Sequence, residues 1–310
     1  MFIADSHCDS IIKVDQCKYG IVNPYNFSTH HSQLQFVAMF TGRPGDTPDD
    51  AWKDLCRYTG QFLLEMASES DRIVQIKTYA DIERALAERK HAALLTLESA
   101  TALKGSTELL EKFYSVGVRV IGLTWLSNDL AKSNRVFDDR DEDTGLSTLG
   151  RSLVEHGNRL GIIWDVSHAS DKTFWDLAEL SEKPIIASHS NFRSVCPHSR
   201  NLTDAMARQI ITSGGIIGLN LCTPFIHPDA EKQTVDSLFL HIDHCLELGG
   251  ENTLGFGCDI DGIGSLPSPL TFDRSIHDQL IELMQKHYAE RTVERIAGEN
   301  YLAYLKKWLT

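Results

Sequence analysis

The amino-acid sequence predicts a (β/α)8 barrel, also called a TIM barrel, and three observations lead to this fold class. Eight short apolar runs recur along the 310 residues, helical patterns separate them, and no Pro-rich or Gly/Ser-rich linker divides the chain. This alternation is typical of βα units in a parallel sheet, and eight units are the number that closes a barrel. We therefore expect a single barrel domain over residues 1–310.

The predicted strands are short runs rich in β-branched residues, each followed by a turn or a helix start. In chain order they are FIADS (2–6), LQFVAMF (34–40), AALLTL (92–97), VRVIGLT (118–124), GIIWDVS (161–167), PIIAS (184–188), GIIGLNL (215–221) and TLGFGC (253–258).

Helical patterns fill the segments between these strands, and several carry capping signals. The predicted helices cover about 49–69, 79–89, 106–116, 147–160, 171–181, 203–213, 232–248 and 273–287, with a last one over 290–309. Start signals are Ser106, Ser170-Asp171 and Thr203-Asp204, and stop signals are Gly117 and Gly161. The last helix is expected to close the outside of the barrel.

The longest irregular segment, residues 125–147, follows the fourth predicted strand and carries an acidic run from Asp138 to Asp143. Such a run is most often a solvated loop. Long loops after barrel strands also lie over the active face, so a lid is the alternative.

The overall charge excludes some classes of function. Acidic residues number 43 against 30 basic ones, and a net charge of -13 repels nucleic acids and anionic membranes. No run approaches the roughly 20 apolar residues of a membrane helix, and the first residues lack a signal-peptide pattern, so the sequence predicts a cytoplasmic protein. Seven cysteines without a Cys-x-x-Cys pair argue against a thiolate zinc site and a disulfide framework; they are at positions 8, 17, 56, 196, 222, 245 and 258.

Polar residues follow five of the predicted strands at their carboxyl ends, where the residues of a barrel face one common pit. They are three histidines and three carboxylates: His7, Asp9, Glu98, His168, His189 and Asp259. One such residue alone is usually a turn former or a hydrogen-bonded edge residue, but six at one end of a barrel predict a metal centre of imidazole and carboxylate ligands. Six groups exceed the three protein ligands of a typical catalytic zinc, so two ions are predicted, with Glu98 as the natural bridge.

Six segments together resemble the membrane (renal) dipeptidase family of the amidohydrolase superfamily: DSHCDS, LTLES, DVSHAS, ASHSNFRSVCPHSRNLTD, GFGCDIDG and the C-terminal AGENYLAYL. The resemblance covers nearly the whole chain and implies a barrel of the metallo-dependent hydrolase type. It implies that His7, Asp9 and Glu98 hold one zinc, and that Glu98, His168 and His189 hold the other. It further implies that Asp259 is the acid/base, and that Arg200 binds the free carboxylate of the substrate.

The sequence departs from that family at the fourth strand, where Trp125 stands in place of a histidine that stabilises the oxyanion and binds substrate. A tryptophan donates one hydrogen bond and carries no charge, so Trp125 or Asn128 is expected to assist the metal in binding substrate. Ser99-Ala100 replace family glycines beside Glu98.

These observations predict a zinc-dependent dipeptidase that uses a metal-bridging hydroxide. By the resemblance its substrates include dipeptides with a C-terminal D-residue, and the protein forms a homodimer. Two alternatives stay open: another amidohydrolase that acts on a small cyclic amide or lactone, and a metal-binding protein with impaired catalysis. Binding to nucleic acid or to a membrane is not expected.

Overall fold

The strands form one parallel sheet that closes on itself in the computed structural model, which describes residues 1–13, 21–23, 25–134 and 142–310. The strands of these described ranges are β1 (Ile3–Cys8), β2 (Gln33–Phe40), β3 (Ile73–Ile76), β4 (His91–Glu98), β5 (Val120–Gly122), β6 (Ile163–Asp165), β7 (Ile186–Ala187), β8 (Ile216–Leu219) and β9 (Leu254–Phe256). The order around the ring is β2-β1-β9-β8-β7-β6-β5-β4, and pairing of β2 with β4 closes it. All eight predicted strands are present, which confirms the (β/α)8 TIM barrel.

Strand β3 was not predicted. It pairs with residues 91–94 of β4, whereas β5 pairs with residues 96–98. Strand β2 occupies one edge of β4, so β3 and β5 both pair with the other edge. β5 pairs only with the last residues of β4, and β3 pairs with the first ones. A run of four residues, two of them only partly buried, gives too short an apolar signal to be recognised in the sequence.

Helices follow most of the strands. They are α1 (Ser10–Lys13), α2 (Pro48–Ser68), α3 (Tyr79–Ala87), α4 (Thr107–Val116), α5 (Thr148–Leu160), α6 (Asp171–Leu180), α7 (Asp204–Ser213), α8 (Thr223–Ile226), α9 (Val235–Glu247), α10 (Ile276–Met284), α11 (Glu290–Glu294) and α12 (Asn300–Trp308), with 3₁₀ turns at Ala100–Leu103 and Ala230–Lys232. None of the helices within the described ranges combines the length and the apolar character that crossing a bilayer requires.

The predicted capping residues occupy the predicted positions. The side chains of Ser106, Ser170 and Thr203 accept hydrogen bonds from the backbone N–H groups at the starts of α4, α6 and α7. Gly161 ends α5 in the left-handed conformation. The predicted last helix is interrupted by a π-helical turn at Arg295–Glu299, between α11 and α12.

The amino end of the barrel is filled by an apolar layer. Residues at the starts of the strands form this layer, and Tyr301, Tyr304 and Leu305 of α12 pack against it. The larger core lies between the sheet and the outer helices. The carboxyl end is therefore left for polar side chains, and β1, the first strand, pairs there with β9, the last.

Two further sequence predictions concern loops and cysteines. The long segment 125–147, predicted as a solvated loop or a lid, contains residues 135–141, which lie outside the described residues, as does Cys17. The six described cysteines are free, in agreement with the argument against a disulfide framework, and four of them are buried.

Candidate metal centre and substrate cavity

The carboxyl ends of five strands bring the six predicted side chains into one buried cluster. His7 and Glu98 are in the last residues of β1 and β4, and Asp9 follows β1 directly. The others lie in the turns after β6, β7 and β9: His168, His189 and Asp259. The rule that residues beyond the barrel strands converge therefore correctly placed all six.

His7 lies among three carboxylates. Its Nε2 atom is 3.5 Å from Asp9 Oδ2, 3.5 Å from Glu98 Oε2 and 3.9 Å from Asp259 Oδ1. Burial acts against protonation of His7, but Glu98 and Asp9 outweigh it, so the pKa of His7 is raised well above its ordinary value. The neighbouring carboxylates therefore favour the protonated, positively charged form of His7.

The other oxygen of Glu98 faces the remaining two histidines. Glu98 Oε1 is 2.8 Å from His168 Nε2 and 3.7 Å from His189 Nε2, and these two nitrogens are 3.0 Å apart. Burial and the nearby charge of Arg200 lower the pKa of His168 to about 3. Burial, His7 and Arg200 hold the pKa of His189 well below its ordinary value. Both imidazoles are therefore neutral, the form in which histidine binds a metal.

The residues of the cluster fit a divalent cation. His7 Nε2 and Asp9 Oδ1 are buried and have no hydrogen-bond partner among the described residues, although buried polar atoms are normally satisfied. Glycine at position 262 leaves room beside them, because a Cβ atom there would lie 2.2 Å from Asp9 Oδ2 and 2.3 Å from Asp259 Oδ1. Nitrogen and oxygen donors of this kind suit zinc and similar divalent ions.

The backbone around the cluster is strained. Asp259 and Asp261 have φ angles of 60° and 70°, and Ser99, directly after Glu98, also has a φ of 70°. The left-handed region is unfavourable for residues other than glycine, and such strain concentrates at functional sites. Asn220, at the end of the seventh predicted strand, donates to Asp259 Oδ2 at 3.1 Å and was missed by sequence reasoning, although its strand-end position could have identified it.

The carboxyl of Asp259 is a weaker acid than an ordinary aspartic acid. Burial raises its pKa to about 7, with further contributions from the carboxylates of Asp9 and Glu98 and opposing ones from His7 and Arg200. A carboxyl with a pKa near neutrality can both hold and release a proton under ordinary conditions.

Arg200 is buried beside the histidines. It donates to the backbone oxygens of Ser167 and His189, the latter at 3.2 Å, and its guanidinium carbon lies 5.4 Å from the ring centre of Phe225. These contacts fix the guanidinium at the wall of a cavity of about 630 Å³ that also contains Glu98 and Asp259. The prediction placed Arg200 within reach of a substrate, and the structure puts it in the same cavity as the cluster.

The two predicted residues of the fourth strand end lie in different places. Trp125 lines the cavity, with its ring 4.7 Å from that of Phe40 and 6.1 Å from that of His168. Asn128 lines a neighbouring cavity, and its amide group donates to Leu123 O at 2.8 Å and accepts from the backbone N–H of Leu130 at 2.9 Å. The structure does not bring Asn128 to the cluster, because its side chain braces the loop that carries it.

A second buried group lies below the cluster. Ligand-type atoms of Asp5, Cys258 and His277 are close together, but Asp5 Oδ2 and His277 Nε2 form a direct hydrogen bond of 2.6 Å. Asp5 Oδ1 also accepts from the backbone N–H of His7 at 2.9 Å. Because Asp5 and His277 are hydrogen-bonded directly to each other, this buried pair supports β1.

A parallel barrel with histidines and carboxylates at the carboxyl ends of its strands defines a metal-dependent hydrolase of the amidohydrolase superfamily. The particular family follows from comparison with known proteins: the chain belongs to the membrane dipeptidase family (peptidase family M19), whose sequence model matches residues 1–308. The protein is therefore a metallopeptidase that hydrolyses peptide bonds, and dipeptides are the substrates of its family.

Individual relatives and solved structures match most of the chain. A protein of Klebsiella pneumoniae encoded in the region 5′ of pqqA is 32% identical over 270 residues, which are 85% of this chain and 97% of that protein. The solved structure of dipeptidase AC, a metallopeptidase, has a TM-score of 0.89 and 26% identity, covering 100% of this chain and 99% of the other. A metallopeptidase from Rhodobacter sphaeroides shares the fold, with a TM-score of 0.88 at 24% identity and 99% of both chains covered.

Proposed function

We propose that this protein is a zinc-dependent dipeptidase whose centre holds two ions. The observation that carries the proposal is the pair of buried, unpartnered ligand atoms, His7 Nε2 and Asp9 Oδ1, beside an imidazole pair that also faces Glu98. In this proposal His7, Asp9 and Glu98 hold one ion. Glu98, His168 and His189 hold the other, since the two oxygens of Glu98 face the two sets of ligands. When bound, two such ions polarise a scissile carbonyl and lower the pKa of a water molecule toward neutrality.

Asp259 is the proposed acid/base. Its Oδ1 atom lies 3.9 Å from His7 Nε2, and its Oδ2 atom accepts from Asn220, so the carboxyl is held beside His7 at the lining of the cavity. In the reaction Asp259 takes a proton from the attacking water and delivers it to the departing amine. A pKa near 7 suits both tasks.

Arg200 is the proposed anchor for the terminal carboxylate of the substrate. Its guanidinium is almost entirely buried, at 5% exposure, and is held by backbone oxygens at fixed positions. A fixed guanidinium recognises a carboxylate through charge-assisted hydrogen bonds and needs little further ordering when it binds one. Trp125 and Phe40 form an aromatic part of the lining of the same cavity, where the indole N–H of Trp125 is proposed to bind substrate.

Dipeptides with a C-terminal D-residue are included in the proposed substrates. The Rhodobacter sphaeroides protein was solved with a phosphinate mimic of L-Ala-D-Ala. L-Ala-D-Ala and L-Ala-L-Ala are therefore the first two compounds to assay with this protein.

The decisive experiment compares each dipeptide with its C-terminal amide, using zinc-loaded protein. Arg200 is expected to favour the free carboxylate by roughly 10²-fold in kcat/KM, about 3 kcal/mol for a charge-assisted interaction. Changing the substrate rather than Arg200 leaves the buried arginine and its partners intact. Turnover of cyclic amides or lactones in place of dipeptides would contradict the proposal in favour of another amidohydrolase activity, and bound zinc without any product would indicate a metal-binding protein.

The role of Asp259 has its own test. Asp259→Asn keeps the shape and the acceptor oxygen of the side chain but removes the group that exchanges a proton. We expect kcat to fall by roughly 10²- to 10⁴-fold while the zinc content is retained. Undiminished turnover at full zinc content would exclude Asp259 as the acid/base.

A further inference from the structure

We propose that Asp165 and Ser188 are positioning residues that orient the imidazole of His189 through a directional chain of hydrogen bonds. The inference rests on the proposed metal function, because it assigns how one ligand of that centre is kept in its binding form. Neither residue contacts the cavity or the reacting atoms.

The chain runs from β6 to the turn after β7. Ser188 Oγ lies 2.5 Å from Asp165 Oδ2 and 2.7 Å from His189 Nδ1. The other carboxylate oxygen of Asp165 accepts from the backbone N–H of Ser188 at 2.9 Å and from the hydroxyl of Ser167 at 2.8 Å. Asp165 is partly buried, whereas Ser188 and His189 are each 1% exposed, so water does not compete at the serine hydroxyl or the imidazole.

The chemistry of the groups fixes the direction of the chain. An ionised carboxylate only accepts hydrogen bonds, so the single proton of the Ser188 hydroxyl points toward Asp165. Ser188 Oγ then acts only as an acceptor toward its other neighbour, and His189 Nδ1 must be the donor. Ser167 Oγ is 3.1 Å from Ser188 Oγ, but its proton is committed to Asp165 Oδ1.

This direction determines the tautomer of His189. With the proton on Nδ1, the lone pair is on Nε2, which lies 3.0 Å from His168 Nε2 and 3.7 Å from Glu98 Oε1. A metal ion binds the nitrogen that carries the lone pair, and the partner of the other nitrogen selects which one that is. Without the acceptor on Asp165, the Ser188 hydroxyl is free to donate to Nδ1, and the proton of His189 then occupies Nε2, where it blocks coordination.

Ser188 also keeps the negative charge of Asp165 away from the imidazole of His189. A carboxylate in direct contact with the ring would increase its negative charge, whereas the Ser188 hydroxyl stands between the two groups and orients the ring. His168 has no comparable support within the described residues, because its Nδ1 atom is buried without a hydrogen-bond partner. The chain therefore acts on His189 specifically.

The test uses Ser188→Ala and Asp165→Asn, with Asp176→Asn as the matched control. Asp165 is partly buried and Asp176 is buried, and each accepts a backbone N–H; Asp176 accepts that of Leu146 at 2.8 Å but lies on α6, away from the cluster. Zinc affinity is measured by competition with a chelator, and the unfolding midpoint of the metal-free protein is measured in parallel. We expect Ser188→Ala and Asp165→Asn to weaken zinc binding by roughly 10- to 100-fold, the usual effect of removing a partner that orients a ligand, and to affect one ion more than the other. Asp176→Asn should leave zinc affinity within about threefold of the wild-type value.

A second readout requires no metal. Nitrogen-15 NMR of the histidine rings in metal-free protein reports the tautomer, and His189→Gln identifies the signal of that ring. The wild type should carry the proton on Nδ1, and Asp165→Asn should move it to Nε2.

Folded Ser188→Ala protein with unchanged zinc affinity would overturn the proposal, as would a wild-type His189 protonated on Nε2. Should Asp165→Asn fail to fold, Ser188→Ala decides alone, since it leaves the backbone bonds of Asp165 in place. If the wild type binds no zinc, the proposed metal function fails, while the NMR readout still decides the hydrogen-bond chain.

Discussion

Substitution of Gly262 by alanine is expected to disable the centre without unfolding the barrel. Gly262 is exposed at the cavity wall, and its φ angle lies outside the left-handed region, so its backbone accepts an L-residue. The added Cβ would lie 2.2 Å from Asp9 Oδ2 and 2.3 Å from Asp259 Oδ1. Both atoms are the ends of rotatable side chains, which can move away from it.

The magnitude follows from how far these atoms must move. Contacts of Cβ atoms below 3.0 Å essentially do not occur, so Asp9 Oδ2 must retreat by at least about 0.8 Å and Asp259 Oδ1 by about 0.7 Å. A displacement of about 1 Å in a reacting or positioning group reduces the rate by roughly 10²-fold. Because a proposed ligand and the proposed acid/base move together, kcat/KM should fall by at least this factor, and zinc binding should weaken as well.

The assay compares Gly262→Ala with Gly264→Ala, since a Cβ at position 264 meets no atom within 4 Å. Dipeptide turnover, zinc content and the thermal midpoint of the metal-free proteins are measured for both variants and the wild type. The midpoints should agree within a few degrees, because the crowded atoms can rotate. Activity of Gly262→Ala within threefold of Gly264→Ala, at equal zinc content, would refute the reasoning that these two carboxylates need the space at Gly262.

Three other predictions concern proton binding and the aromatic wall. Because Glu98 and Asp9 outweigh burial and raise the pKa of His7, zinc must displace a proton from this residue. The apparent affinity for zinc should therefore rise by about tenfold per pH unit as the pH increases from about 6 to 7. An affinity that calorimetry finds independent of pH would contradict this. Burial lowers the pKa of His241 to about 4, so on acidification the unfolded chain binds a proton at this histidine before the folded protein does. The free energy of unfolding should therefore fall by about 3 kcal/mol between about pH 6.5 and 4. Urea unfolding of His241→Gln should lack this part of the pH dependence. Trp125→Phe should reduce kcat/KM by about fivefold, the loss of one hydrogen bond of about 1 kcal/mol, and an unchanged value would exclude the indole N–H as a substrate contact.

The sequence predicted those parts of the site that depend on periodicity. Strand ends can be located from apolar runs, and in a barrel those ends converge, which is why His7 and Glu98 were placed together although 91 positions separate them. Asn128 was expected to assist the metal in place of the missing family histidine, but the sequence says nothing about the loop bonds that its side chain forms. The chain from Asp165 through Ser188 depends on which atoms face each other across two strands, and no spacing in the sequence carries that information.

The pairing of β1 with β9 means that the cluster joins residues from the two ends of the polypeptide. The backbone N–H of Asp259 donates to His7 O at 3.2 Å, and that of Asp9 donates to Ile260 O at 2.8 Å. The first and last strands of the barrel are therefore joined within the cluster itself. During synthesis about 250 residues are added after His7 before Asp259 exists, so the cluster forms only late in translation. Ions bound there would link the two ends of the chain, and removing them with a chelator would weaken the contact between β1 and β9.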